Sequence, residues 1–534
     1  MAISALRQSL PATQRSPPGT LRGRDPLVRI CCAYPGRYDN KLPVSEVASS
    51  DNLLIRTARG AGWVMAWRLG MRVLGLFSTL ILVRLIQPAD FGIIALATSF
   101  TQTVDDMLTL GTEEAVIREA TPGRSFYDTA FTLNLLRGLS ATVLVAALAY
   151  PAARLFADPR LGPVLLFVAC LPLLDGFSNI GTVEFRRDLA FHKEFAIMVL
   201  PKLCGIVAGI TAAVLLRSYV AMLVGIGVNR GLRVVMSYVM HPFRPGLSLK
   251  AWRGLVGYSF WTWLLSIAVL IRDRGDSLLL GRLMNTASVG FYSVGAEIAA
   301  LPTTELIEPL GRAAFSGFAA GRQHKLEVGE TFLRLIGSAA LLTVPAGVGL
   351  SMVAAPLVGL AFGPGWEQAV PVLRILSLSF TIMVFGHLSL HLLSAHALLG
   401  RLVGITLAGS GVRVVLLLLL IPRFGLTGAA AGAAVAVVVE QALTLATALR
   451  RFHLDAATLV RRVWRPVLAA AAMAAVLAIS GAGWSDDPGS LGLIEAVSGG
   501  AATYVAVLLA AWYLAGRPDG AETDVLRLLR RVAC

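Results

Sequence analysis

The chain has 534 residues, of which 56% are hydrophobic and only 15% are charged, and its mean hydropathy is +0.71. Soluble proteins carry about 25% charged residues, so this composition excludes an ordinary soluble protein and predicts a polytopic membrane protein. The net charge of +15 would indicate nucleic acid binding in a soluble domain. In a membrane protein it is typical of cytoplasmic loops, and no basic block here is long enough for a nucleic-acid-binding domain.

The first 50 residues differ from all that follow. They are rich in Pro, Arg and Gly and lack the apolar stretch of a secretory signal, so we predict a disordered cytoplasmic tail over 1–50. Because the apolar pattern begins only near Asp51, a later native start of the chain is a second hypothesis. The five cysteines have no metal-ligand spacing, so we expect no metal or other cofactor.

Runs of about 20 apolar residues fill the rest of the chain, each long enough to cross ~30 Å of hydrocarbon as a helix. A strand with an open edge cannot face lipid, so the runs are predicted to be helices. The sequence therefore predicts an all-α polytopic protein with about fourteen spans: 61–86, 91–112, 128–150, 161–182, 195–216, 219–240, 254–278, 288–310, 332–354, 369–393, 397–421, 425–449, 466–484 and 494–515.

Lys and Arg are concentrated in the loops after even-numbered spans and in the C-terminal tail. Arg186, Arg187 and Lys193 follow the fourth span, whereas the loops after spans 9 and 13 contain neither Lys nor Arg. By the positive-inside rule, this distribution predicts that both termini are cytoplasmic and that the QPAD loop after span 1 is external.

An internal repeat organises the spans. The stretch LVRLIQPADFGIIALA (82–97) has a faint copy 198 positions later, LGRLMNTASVGFYSVG (280–295). Spans 1–6 therefore match spans 7–12, and since six is even, both halves enter the membrane in the same direction. This arrangement is typical of transporters whose halves rock around a central site. We predict a first six-helix lobe, a second six-helix lobe, and two extra helices with a cytoplasmic tail, at 51–245, 246–455 and 456–534.

Three stretches carry a family resemblance that covers about 55–515. LILVRLIQPADFG resembles the start of the polysaccharide-transporter branch of the MOP flippase superfamily. RDRGDSLLLGRLMNTASVGFYSVGAEIAALP (272–302) is similar to the second-half signature of that branch, and EFRRDLAFHKEF (184–195) is similar to its basic loop after span 4.

The resemblance implies a flippase in the bacterial inner membrane that moves a polyprenyl-pyrophosphate-linked oligosaccharide from the inner to the outer leaflet for surface polysaccharide assembly. It also implies membrane lipids and the polysaccharide polymerase or export machinery as partners. An ion-coupled drug or metabolite antiporter of the same superfamily, usually with twelve spans, and a lipid II flippase remain as alternatives. The chain has no nucleotide-binding loop and no persuasive nucleophile–base constellation, so we expect a transporter rather than an enzyme.

Charges inside spans are costly and usually face a cavity or a partner. Arg68 and Arg72 share one face of span 1, and the planar guanidinium can bind phosphate oxygens bidentately. One hypothesis is that both residues line the cavity and receive the pyrophosphate. The alternative is that Arg68 reaches the inner interface while Arg72 pairs with an acid such as Asp105.

Further charges are candidates for the same cavity or for coupling to H⁺ or Na⁺. Glu297 lies near mid-membrane in span 8 and is the first candidate for coupling, and Glu440 is a natural partner for an intramembrane arginine. In IRDRGDS, two acids beside two arginines either neutralise each other or form an outward gate or second anion site. The predicted substrate-binding residues are Arg68, Arg72, Arg137, Arg272 and Arg413, and those predicted for ion coupling or internal pairing are Asp105, Glu297, Glu305 and Glu440.

Overall fold

A computed structural model describes residues 70–109, 111–119, 122–187, 190–252, 260–320, 325–396, 398–481, 483–484, 489–518 and 520–523. These residues form helices and turns, and none of them lies in a β-strand, which confirms the predicted all-α class. The predictions for the tail at 1–50 and for Arg68 lie outside the described residues.

The first half contains one long helix for nearly every predicted span, and α2 begins with Pro88, which needs no N–H partner in a first helical turn. Its helices are α1 (70–85), α2 (Pro88–Met107), α3 (Thr112–Arg118), α4 (Arg124–Leu155), α5 (Leu161–Val168), α6 (Cys170–Gly176), α7 (Glu184–Arg187), α8 (Phe191–Leu216) and α9 (Val220–Met240).

The second half and the C-terminal segment follow the same pattern. Their helices are α10 (Phe260–Leu283), α11 (Thr286–Ala320), α12 (Lys325–Met352), α13 (Ala354–Phe362), α14 (Ala369–Thr381), α15 (Met383–Ala395), α16 (Leu399–Phe452), α17 (Ala456–Ile479) and α18 (Gly489–Leu514).

Two breaks in these helices have a local cause. Gly425 lies inside α16 with φ +58° and ψ −133°, a conformation that favours glycine, so α16 consists of two helices that meet at the predicted IPRFG boundary. Helices α14 and α15 meet at an angle of 44°. In this stretch Ser377, Ser379 and Thr381 donate to carbonyl oxygens three or four residues earlier, a pattern that bends helices.

Seven helices of the described residues are long and apolar enough to cross a membrane, or up to nine if each bent pair counts as one span. The chain is therefore a multi-pass membrane protein, and the count of fourteen stays a prediction. Helices α2, α10 and α11 are not among the seven, although each coincides with a predicted span. They carry intramembrane charges, which lower their hydropathy.

The two repeated stretches pack against each other at the start of α2 and α11. A Cβ atom on Gly92 would overlap the carbonyl oxygen of Thr286, and one on Gly290 would overlap the carbonyl oxygen of Pro88. Both contacts join residues related by the 198-residue repeat, so the two contacts are reciprocal. The repeat therefore relates two halves that meet through their equivalent helices.

Hydrophobic packing fixes this arrangement. One buried cluster joins the halves near the Gly92–Gly290 contact and includes Ile93, Leu96, Leu280 and Leu373. A second cluster packs α17 and α18 against α12, where the Tyr504 hydroxyl also donates to the Leu341 carbonyl oxygen at 2.8 Å. The C-terminal helices thus pack on the second half, while the lobe boundaries proposed from the sequence stay predictions.

Candidate functional site

A cavity of about 510 Å³ lies between α2 of the first half and helices α10, α11 and α14–α16 of the second half. The side of α2 contributes mainly small residues, Ala95, Thr98 and Ser99. Among the described residues, the second half contributes all the charged residues of the lining: Arg272, Asp273, Arg274, Asp276, Arg413 and Glu440. The described lining is thus shared by both halves, and its charge comes from one of them.

Asp276 and Arg413 form a buried ion pair in the cavity wall. Arg413 Nε donates to Asp276 Oδ1 at 2.7 Å, and Arg413 Nη2 and the Tyr292 hydroxyl both donate to Asp276 Oδ2. The two parallel bonds from the guanidinium are the strongest geometry for such a pair. Asp276 balances the charge of Arg413. The pair therefore holds α10 and α16 together in the cavity wall.

Arg272 is balanced in the same way. It donates to Asp273 Oδ1 at 2.9 Å and to Glu440 Oε1 at 3.2 Å. The Glu440 side chain is only 8% exposed, so its carboxylate needs this cation nearby. Among the alternatives drawn from the sequence, the geometry matches internal pairing for Glu440 and neutralisation for Arg272.

Arg274 is different from these two arginines. It lines the cavity between them, and no hydrogen bond or ion pair joins it to another described residue. Its charge interacts at longer range with Asp106 of α2, on the opposite half. Arg274 therefore presents guanidinium donors to the cavity, and no carboxylate of the described residues is bound to them.

Asp105 and Arg137 form a pair inside the first half, where the Arg137 guanidinium donates to Asp105 Oδ1. The sequence left open a pair between Asp105 and Arg72 of span 1. In the structure the partner of Asp105 is Arg137 of α4 instead. Arg137 also lines a separate cavity of about 310 Å³ that lies within the first half, where Arg230 donates to both oxygens of Asp175. Arg137 is not among the residues that line the cavity of about 510 Å³.

Three charges from different helices interact with one another: Arg72 of α1, Lys202 of α8 and Glu297 of α11. Lys202 Nζ also donates to the Met71 carbonyl oxygen at 2.9 Å. Our sequence reasoning missed Lys202, although a single Lys in the middle of an apolar span is itself a signal of function. The Glu305 side chain lies outside the described residues.

The end of the molecule at the QPAD turn is closed by Trp366, which is almost fully buried. Its indole Nε1 donates to the Val83 carbonyl oxygen at 3.1 Å. Its ring packs edge to face on Phe91 of the first half at 5.5 Å and on Phe291 of the second at 5.7 Å. One aromatic side chain thus connects the two halves.

Polar contacts add to this closure. Arg84 donates to the carbonyl oxygens of Leu360 and Ala361, and Thr286 Oγ1 donates to Asp158 Oδ2 at 3.2 Å. Burial tends to raise the pKa of Asp158, but hydrogen bonds from Arg160 and Thr286 outweigh it, so the pKa lies below its usual value. We name the set Arg84, Gly92, Gly290 and Trp366 the seal.

An all-helical, multi-pass protein with a charged cavity between two repeated halves has the architecture of a transporter. The fold resembles that of the lipid II flippase MurJ in its inward closed conformation, with a TM-score of 0.69 and 12% identity over 84% of this chain and 98% of MurJ. It also resembles an inward-facing multidrug resistance transporter of the MATE family, with a TM-score of 0.52 and 17% identity over 73% of this chain and 94% of that one.

The family model described as "Polysaccharide biosynthesis protein" matches residues 81–371, more than half of the chain, and the chain belongs to this family. The lipopolysaccharide biosynthesis protein WzxC of Escherichia coli (strain K12) is 22% identical over 325 residues, which are 60% of this chain and 66% of WzxC. The succinoglycan biosynthesis transport protein ExoT of Rhizobium meliloti (strain 1021) is 23% identical over 327 residues, 61% of this chain and 66% of ExoT. The chain thus matches just under two thirds of the length of these relatives.

Proposed function

We propose that this chain is a flippase that moves a polyprenyl-pyrophosphate-linked oligosaccharide from the inner to the outer leaflet of the bacterial inner membrane. The observation that carries the proposal is the charged cavity shared by the two halves, with Arg274, whose donors bind no carboxylate in the part of the chain that the structure describes. Membership of a polysaccharide biosynthesis family and similarity to a succinoglycan transport protein support this class of substrate.

The chemistry of the cavity suits the two ends of such a substrate. A diphosphate cannot remain unpaired in a medium of low dielectric constant, and Arg274 supplies the cation that it needs there. Hydroxyl groups of Thr98, Ser99 and Ser277 line the same cavity and are suitable partners for sugar hydroxyls. The lipid tail needs no protein site, because it stays in the bilayer while the head group crosses.

Alternating access follows from the repeat and the seal. With both termini in the cytoplasm, the QPAD turn faces outward, and the described conformation is closed on that side. Rocking of the halves would break the seal and expose the cavity to the outer leaflet. Resemblance to the inward closed MurJ and the inward-facing MATE structures supports this assignment of the state.

The driving force that we propose is coupling to H⁺ or Na⁺. Asp105 and Glu440 are bound to arginines, which leaves Glu297 as the intramembrane acid to test first. We also propose the polysaccharide polymerase or export machinery as a partner, on the grounds of family membership alone.

Deletion of the gene tests the proposed function. We expect surface polysaccharide to be lost and the lipid-linked unit to accumulate in the inner leaflet, with both effects reversed by the intact gene. Structural analysis of the accumulated lipid would identify the sugar. Normal export without accumulation would contradict the proposal, a multidrug phenotype on overexpression would favour an antiporter, and loss of viability on depletion would indicate lipid II as substrate.

A further inference from the structure

We infer that the linker between the two halves binds anionic phospholipid headgroups at the inner leaflet of the membrane. The linker consists of residues 241–252, which follow α9 of the first half and precede α10 of the second. We name these residues the strap. None of them is in the described lining of the two cavities above, so this surface is separate from the proposed substrate site and independent of the substrate.

The strap is fixed along α4 by hydrogen bonds from its backbone. The Gly246 N–H donates to Asp128 Oδ1 at 2.7 Å, and the Ser248 N–H donates to Thr132 Oγ1 at 2.9 Å. Residues 241–249 belong to no helix or strand, so such bonds to side chains of α4 replace those of regular structure. One side of the strap is therefore held against the first half.

The length of α4 places the strap at the level of the headgroups. Helix α4 has 32 residues and so is about 48 Å long, whereas the hydrocarbon of a bilayer is about 30 Å thick. The strap contacts the first turns of α4, which carry the charged residues Arg124 and Asp128. These turns therefore extend beyond the hydrocarbon, at the end that is cytoplasmic in the predicted orientation.

The other side of the strap exposes large apolar side chains. Leu247 is 74% exposed, Leu249 is 49% exposed and Trp252 is 48% exposed. Apolar side chains exposed close together mark a surface that contacts a membrane or another protein. Trp is also enriched where a protein crosses from hydrocarbon to water, because its ring is amphipathic. The exposed side of the strap thus suits the boundary between acyl chains and headgroups.

Charge decides in favour of an anionic lipid as the occupant. Arg244 and Lys250 are exposed on the strap, which contains no acidic residue. Arg244 Nη1 donates to the His241 carbonyl oxygen at 2.8 Å, which holds its guanidinium beside the strap. Cations next to exposed apolar side chains bind phosphate groups of an anionic leaflet while the apolar groups enter the acyl boundary.

Quenching by brominated lipid tests the contact of the strap with the membrane. The full-length protein carries bimane on Leu247→Cys in a background without the native cysteines and is reconstituted in liposomes of brominated phosphatidylcholine and phosphatidylglycerol. We expect this label to lose about half of its fluorescence, because apolar side chains of an interfacial segment reach the acyl boundary. Bimane on Glu119→Cys, an exposed charged position at the same predicted side, should keep its fluorescence.

A charge variant tests the preference for anionic headgroups. Lys250→Met should lower the ratio of embedded to exposed label about fivefold in these liposomes, the effect of one cation beside an anionic surface. The same substitution should leave the ratio unchanged in brominated phosphatidylcholine alone. Lys193→Met removes an exposed cation from another basic loop and should have no effect in either lipid. Size-exclusion chromatography checks the folding of each variant.

Three results would overturn the inference. The first is quenching at Leu247→Cys no greater than at Glu119→Cys. The second is an equal response to Lys250→Met in the two lipid mixtures, because the contact would then not depend on anionic headgroups. The third is protection of the label from aqueous iodide without quenching by brominated lipid, which would show that a protein surface, such as a second copy of this chain, covers the strap.

Discussion

Three arginines face one cavity, and their partners give them different roles. Arg272 and Arg413 are bound to Glu440 and Asp276, whereas Arg274 has no bonded partner in the part of the chain that the structure describes. A guanidinium already bound bidentately has fewer donors for a ligand and holds its helix in place instead. We therefore propose Arg274 as the anion receptor of this cavity, rather than Arg272 and Arg413, which are two of the five arginines that the sequence predicted to bind substrate.

Substitution of Arg274 should impair transport without unfolding the protein. We expect Arg274→Ala to lower polysaccharide export about tenfold or more, since a hydrogen bond to a charged group contributes about 1.5–3 kcal/mol. Arg274→Lys should retain part of the activity. Export is measured in the deletion strain at matched expression, with Arg282→Ala, an exposed arginine of the same helix, as the control. Normal export by Arg274→Ala would remove this residue from the site.

The Asp276–Arg413 pair should contribute to stability. Removal of one partner from a buried pair leaves an uncompensated charge and costs about 3–5 kcal/mol. We expect Arg413→Met and Asp276→Asn each to lower the thermal midpoint of the purified protein in detergent. The double variant should be more stable than the sum of the single effects predicts. A single variant that unfolds at the wild-type temperature would show that the pair is not important for stability.

At the scale of the helices, the seal depends on close approach of α2 and α11. Gly92 and Gly290 allow each backbone to contact the other, and Trp366 fills the space beside them. Because these contacts join the two halves, they stabilise the described conformation, and in the proposed alternating access they would have to break for that end to open.

Removal of the Trp366 ring should favour the open state. Large-to-small changes of a buried Trp cost about 3–5 kcal/mol, and here much of that loss falls on the closed conformation. We expect Trp366→Ala to increase labelling of Ala97→Cys by a membrane-impermeant maleimide about tenfold or more, in a background without the native cysteines. The exposed Trp484→Ala serves as control. Equal labelling of both variants would contradict a sealing role for Trp366.

The reciprocal glycines give a second test of the seal. A methyl group on either one overlaps the backbone of the opposite half, so Gly92→Ala and Gly290→Ala should both raise labelling of the same reporter cysteine. Gly231→Ala provides the control, because a Cβ atom at this helical position meets nothing within 4 Å. If Gly92→Ala labels like Gly231→Ala, the halves do not depend on this contact.

The sequence predicted the all-α class and the positions of many helices, because hydropathy and turn residues are local signals. It could not assign partners to the charges, since those are set by tertiary packing. Asp276 and Arg413 are 137 positions apart, and Asp105 binds an arginine of α4 rather than one of α1. Lys202 was not predicted because it is a single charge in an apolar run. Its proximity to α1 is visible only in the tertiary structure.

At the scale of the whole molecule, the two halves meet at the sealed end and separate around a charged cavity. The proposed flippase would need this combination, with a seal strong enough to keep the membrane closed and confined to few contacts that can break during transport.

The most direct test of the flippase is leaflet exchange in liposomes. Purified protein is reconstituted with a fluorescent polyprenyl-diphosphate oligosaccharide, and the outer-leaflet fraction is followed with a membrane-impermeant quencher. We expect the wild-type protein to make both leaflets accessible and Arg274→Ala to be much slower at the same protein density. Exchange no faster than in protein-free liposomes, despite correctly folded protein, would contradict the assignment of this chain as a flippase.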